Sequence, residues 1–227
     1  MVLIPVESVR TRPSPAAAPC ELCAEPLPPH HRHLLDVTAR TLCCACQACA
    51  LLFDRPDGRY RSVPDRRRRL PAGVLDEATW ARLRIPVRMA FLYYDTAADA
   101  PVAFYPSPAG AVGAELDRAE WERIVAAHPL LSDLAPDVEA LLVDRTGAEL
   151  PGQPGGASYR ESGGEHFLVP IDDCYALVGL VRTHWQGFTG GERLWQRVAE
   201  FFADLRAHAT GPLNRAAAGG APERSRP

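Results

Sequence analysis

Six of the seven cysteines fall between Cys20 and Cys49, and this cluster constrains the fold more than any other feature of the 227-residue chain. Cys20, Cys23, Cys46 and Cys49 form two C-x2-C pairs with 22 residues between them. Two residues between thiolates let a tight turn aim both sulfurs at one ion, at about 2.3 Å, and two such knuckles close a tetrahedron. Between the knuckles, His31 to Asp36, a turn at Val37 to Arg40, and Thr41 to Cys43 read as a hairpin. The layout is that of a zinc ribbon with four cysteine ligands. A dense thiol cluster points to metal rather than disulfides where thiols stay reduced. No run of apolar residues approaches the ~20 needed to span a bilayer, and the N-terminus lacks the basic start of a secretory signal. The expected location is therefore the cytoplasm, with no membrane insertion.

An iron–sulfur centre is the alternative to zinc. Cys43, Cys46 and Cys49 make C-x2-C-x2-C, part of a ferredoxin run, but the fourth position required three residues on is Phe53. Zinc is preferred because paired knuckles are commonest in structural zinc sites. Cys43 and Cys44 are left as alternative ligands or as small core residues of the ribbon strand. His30, His31 and His33 lie near the first knuckle; alternative ligands or a catalytic pair are open to them, and the preferred reading is solvated residues or supports behind the ligands. A metal-dependent nuclease of this layout needs a downstream Asn and His, and the sole Asn is Asn214.

Charge narrows the partners. The net charge is -3, so the chain as a whole is not a nucleic-acid-wrapping polycation. All 25 basic residues are Arg, which excludes chemistry that needs a lysine. Arg66, Arg67, Arg68 and Arg69 form a run beside the ribbon that offers partner or phosphate contacts. Tyr60 is the lone aromatic nearby, and Asp54, Asp57 and Asp65 dilute the charge. Nucleic-acid binding is therefore ranked below protein contact.

The expected organisation is α+β. Residues 1–18 are a disordered tail, 19–54 the ribbon module, 55–73 an Arg-rich linker, 74–209 an α+β domain, and 210–227 a second disordered tail. In the large domain, Asp76 to Leu83 reads as a helix stopped by Pro86, and Asp117 to His128 as an amphipathic helix. Val87 to Tyr94 and Val102 to Tyr105 read as a hairpin, with further strands at Val138 to Val143 and Phe167 to Val169, giving a mixed or antiparallel sheet. Tyr175 to Arg182 reads as a strand, although the periodicity of Ile171 to Val181 also admits a helix. Residues 146–164 form a Gly/Pro/Ser loop long enough to be functional. The C-terminal amphipathic helix carries Leu194, Trp195, Val198, Phe201, Phe202 and Leu205 in one stripe, with Thr189 and Glu192 at capping-box spacing. A motif recurs as Leu75-Asp76-x-Ala78-x-Trp80-x-Arg82 and Leu116-Asp117-x-Ala119-x-Trp121-x-Arg123.

No catalytic set emerges. G-x-S-x-G and H-E-x-x-H are absent from the sequence. Cys174 lies in an apolar run and reads as structural rather than as a nucleophile paired with His166 or His184. An enzyme is the less favoured class.

Several segments taken together resemble an uncharacterised bacterial family with a domain of unknown function. They are Cys20-Glu-Leu-Cys23, His31-Arg-His-Leu-Leu-Asp36, Cys46-Gln-Ala-Cys49-Ala-Leu-Leu-Phe53, Ala103-Phe-Tyr-Pro-Ser-Pro-Ala-Gly110, Val138-Glu-Ala-Leu-Leu142, Pro170-Ile-Asp172, Cys174-Tyr175 and Trp185-x-Gly187-Phe-x-Gly-Gly191. The resemblance covers most of residues 20–208. Members of that family often lie in gene clusters of nickel–iron hydrogenases, so it implies a role in hydrogenase assembly or electron transfer and supplies no catalytic residue. Three readings follow in order: a zinc-stabilised accessory protein that docks on a hydrogenase subunit or maturation factor, an iron–sulfur electron carrier or cluster-delivery protein, and a nucleic-acid-binding regulator.

Overall fold

A computed structural model describes residues 19–55, 58–114, 116–146 and 164–211. The expected tail 1–18 lies outside these residues, as do all but Thr210 and Gly211 of the expected tail 210–227 and all but the two ends of the loop 146–164. The fold is α+β with antiparallel sheets.

Alternation organises the first hairpin. β1 (Arg32–Asp36) and β2 (Thr41–Ala45) pair antiparallel, with His33 opposite Cys44 and Leu34 opposite Cys43. Buried Asp36 closes the turn by accepting the N–H groups of Thr38 and Ala39 at 3.0 and 2.9 Å. Successive side chains point to opposite faces. Leu34 and Ala45 therefore pack with Cys20, Leu27, Cys49 and Ala50 in a small core, while Leu35 and Leu42 join the main one. α1 (Gln47–Phe53) follows β2. β3 (Tyr60–Ser62) pairs with β1 and completes a three-stranded sheet of order β2-β1-β3.

The second sheet holds β4 (Arg68–Arg69), β5 (Met89–Asp95), β6 (Ala100–Ser107), β7 (Gly110–Ala114), β8 (Glu139–Asp144) and β9 (Glu165–Pro170). Its order is β4-β9-β8-β5-β6-β7, antiparallel at every pairing. Residues 55–73, expected as a linker, thus lend one strand to each sheet. β8 and β9 are buried at every position, which is why their sequences run apolar rather than alternating. Phe91, Leu92, Leu141, Leu142 and Phe167 are fully buried, and such side chains contribute about 1.5–3 kcal/mol each.

The helices follow their caps. α2 (Glu77–Leu83) starts where Asp76 accepts the Thr79 N–H at 2.7 Å, and α3 (Arg118–Ala127) where Asp117 accepts that of Ala119 at 2.7 Å. α2 ends at Arg84, whose φ of 53° is left-handed, before Pro86 has any part in stopping it. The two copies of the tryptophan motif stand on α2 and α3, which lead into the paired central strands β5 and β8. Arg82 of the first copy bonds Glu120 of the second at 2.9 Å, and Arg123 reaches the same carboxylate.

Two expectations are corrected. Tyr175 to Arg182 is not a strand; it lies within α4 (Ile171–His184). Asp172 and Asp173 sit in its first turn, where the helix dipole favours anions, and Ile171, Cys174, Tyr175, Leu177, Val178 and Val181 form its buried face. Its valines and tyrosine suit a strand in isolation, and packing on the sheet decides the matter. The capping box at Thr189 is not formed either. α5 (Glu192–His208) begins at Gly191 with no side-chain cap, and the Thr189 carbonyl instead accepts the Trp195 indole N–H at 2.9 Å. Gly190, at φ 88°, leaves no room for a side chain, because a Cβ there would stand 2.6 Å from Leu194. α5 packs on α4, and α4 on the large sheet.

Candidate metal centre

The first knuckle is a backbone turn. Cys20 donates its N–H to the Glu25 carbonyl at 2.7 Å and accepts that of Ala24 at 2.8 Å, with Ala24 itself at φ 65°. The second is a helix start. Cys46 is the N-cap of α1 and its sulfur accepts the Cys49 N–H at 3.4 Å. The hairpin β1–β2 holds the two knuckles together, and the Glu21 N–H bonds the Cys44 carbonyl at 2.9 Å. The four sulfurs of Cys20, Cys23, Cys46 and Cys49 come within 4.8 Å of one another.

This spacing suits one ion. Four sulfurs about 2.3 Å from a central ion stand about 3.8 Å apart; the Cys23 and Cys46 sulfurs are 3.7 Å apart. The surroundings favour charge on one sulfur and oppose it on another. Burial raises the Cys20 thiol, yet the backbone N–H groups of Cys46, Leu22 and Cys23 outweigh it and bring the thiol down to about 6. Cys49 is pushed up to about 12, first by burial and then by the neighbouring thiols. A divalent cation at the centre removes that conflict by favouring thiolate at all four positions. The four-cysteine cluster can therefore hold a metal ion.

The other two clustered cysteines stand apart from this tetrad. Burial and the Glu21 carboxylate push the Cys43 thiol up to about 11 and raise that of Cys44. Cys44 comes within 4.8 Å of His31 and His33 instead. His33 Nδ1 lies 2.7 Å from the Asp172 carboxylate, at the start of α4. The sequence alone favours a solvated or supporting role for His31 and His33 over that of ligands. The signal that joins them to Cys44 is the hairpin register, which sets His33 opposite Cys44, with His31 two residues earlier in the chain.

The arginine run meets carboxylates. Arg66 bonds buried Glu139 and, at 2.7 Å, the Asp133 carbonyl. Arg67 grips Asp173 through two bonds of 2.7 and 2.8 Å and reaches Asp65 at 2.7 Å. Arg68 faces Asp133 at 3.8 Å and Arg69 bonds Glu165 at 2.8 Å. The run stitches the β4 edge to the 129–139 segment, to α4 and to β9.

Cys174 is fully buried, and its thiol is pushed well above its usual range by that burial. This is the setting of an inert structural thiol. His166 is also buried; its Nε2 accepts the Leu75 N–H at 3.3 Å.

The family of unknown function DUF5947 matches residues 19–209, spanning both sheets and all four cysteines of the tetrad. The chain belongs to that family. No curated protein and no solved structure matches it. Among the described residues, no helix is long and apolar enough to cross a membrane.

Proposed function

We propose that this DUF5947 chain is a zinc-stabilised accessory protein that acts by docking on another protein. The observation that carries the metal part is the tetrad, four sulfurs within 4.8 Å of one another with those of Cys23 and Cys46 3.7 Å apart, which suits a single tetrahedral ion. A multi-iron cluster spreads its cysteine sulfurs wider, so the geometry favours zinc over an iron–sulfur centre. Docking is supported by α1. This helix starts at Cys46 and carries Cys49, so a bound metal anchors its N-terminal end, while Leu51, Leu52 and Phe53 beyond it are 72%, 62% and 39% exposed. Adjacent exposed apolar side chains of this kind mark interaction surfaces. Resemblance to proteins encoded beside nickel–iron hydrogenases supplies the partner class, a hydrogenase subunit or maturation factor, and a cytoplasmic setting suits seven free thiols. Nucleic-acid binding through Arg66 to Arg69 is disfavoured, because each guanidinium already faces a carboxylate.

The test is affinity capture from cells that express a nickel–iron hydrogenase, with the wild-type chain and a Leu51→Asp/Leu52→Asp variant. The wild type should retain a hydrogenase component at near-stoichiometric yield and the variant should lose it while keeping its zinc. Capture that the double variant leaves unchanged, or capture of no hydrogenase component, overturns the docking reading.

A further inference from the structure

The second face of the hairpin carries its own ligand set. His31, His33 and Cys44 each place a ligand atom within 4.8 Å of the others. They converge because β1 and β2 are in register. His33 stands directly opposite Cys44, and His31, one residue before β1 begins, brings its ring to the same pair. The imidazole rings are 5.1 Å apart and nearly perpendicular, at 89°.

Hydrogen bonds fix how the rings present themselves. His31 Nδ1 lies 3.0 Å from the Pro28 carbonyl, and His33 Nδ1 lies 2.7 Å from the Asp172 carboxylate. Both oxygens only accept, so each Nδ1 donates there, and in the neutral ring Nε2 keeps its lone pair for a ligand bond. His31 Nε2 is buried and has no hydrogen-bond partner. An unmet buried acceptor is costly and calls for an occupant. A carboxylate or carbonyl behind Nδ1 is also the arrangement that orients metal-bound histidines and strengthens them as ligands.

We infer that His31, His33 and Cys44 form a second transition-metal site, with Asp172 and the Pro28 carbonyl as its supports. The donor set is two imidazole nitrogens and one sulfur, which suits a borderline divalent ion such as zinc or cobalt(II). Three protein ligands leave a fourth position open to water or an exchangeable ligand, unlike the closed cysteine tetrad. The site joins the two parts of the fold, since Asp172 comes from α4 and the ligands His33 and Cys44 from the small sheet. It is independent of the docking proposal and of the tetrad, and its failure shows at different residues from theirs.

The experiment is anaerobic cobalt(II) titration of the whole metal-depleted chain, read by absorption bands and by elemental analysis after desalting. The wild type should take up two equivalents. A His31→Gln/Cys44→Ser variant should take up one and keep the bands of the four-thiolate site. Asp172→Asn, which alters no ligand, should weaken the second equivalent by about 10–100-fold and leave the first unchanged. If the wild type binds a single equivalent, the second site does not exist. If both variants bind two equivalents with wild-type affinity, these residues do not form it. Should the double variant fail to fold, the Asp172→Asn titration decides alone.

Discussion

Acid should destabilise this protein through one buried imidazole. His166 lies on β9, is 1% exposed and uses Nε2 to accept the Leu75 N–H. Protonation would turn that acceptor into a donor and would place a second cation near Arg145. Burial, reinforced by Arg145, brings the imidazole down from 6.5 to about 4. Below pH 6.5 the unfolded chain binds this proton and the folded chain does not. Stability is therefore complete above pH 6.5, falls as the pH drops towards 4, and changes no further below that on account of this group. At about 1.36 kcal/mol per pH unit, the difference comes to ~3 kcal/mol, a large share of the 5–15 kcal/mol of a typical domain. The assay is urea unfolding of the wild type and of His166→Gln at several pH values between 7.5 and 4. Gln keeps an acceptor for Leu75 but does not titrate. Metal release from the thiolates at low pH affects both proteins alike, so the difference between them isolates His166. The wild type should lose about 3 kcal/mol more than the variant across this range. Parallel pH profiles would show that His166 does not make the folded state acid-sensitive.

Two further outcomes follow from the ion pairs and the knuckles. Arg66→Ala removes the guanidinium bound to Glu139, a carboxylate with 2% exposure that would keep the Ala135 N–H as its remaining bond; stability in urea should drop by about 2 kcal/mol, and an unchanged midpoint would show that the pair contributes nothing. Cys23→Ser should abolish metal uptake by the tetrad and loosen residues 19–54, while the strands β5, β8 and β9, which have a core of their own, keep their amide protection from hydrogen exchange.

How legible this was in the sequence depended on distance along the chain. The C-x2-C spacing alone located the tetrad, because each knuckle is a local turn and the hairpin between them is a local element. The β5–β6 hairpin and the capped starts of α2 and α3 were legible for the same reason. β7 was not, because Gly110-Ala-Val-Gly-Ala114 offers little apolar pattern and is held by backbone pairing to β6. β4 is two arginines long and exists because the edge of β9 accepts it. α4 carries strand-forming residues, and its helical state is settled by the sheet it packs on. Long-range partners were out of reach. His33 and Asp172 are separated by 139 positions, and nothing local to either announces the other. The same holds for Arg66 and Glu139, whose pairing turns an apparent basic patch into a brace inside the fold.

Cys20, Cys23, Cys46 and Cys49 are proposed to hold one tetrahedral zinc. Elemental analysis and a visible spectrum of anaerobically purified protein, taken side by side for the wild type and Cys23→Ser, test it most directly. The protein should be colourless, with one equivalent of zinc lost on going from the wild type to the variant. Iron with sulfide and visible charge-transfer bands, or a zinc content that Cys23→Ser leaves unchanged, would contradict it.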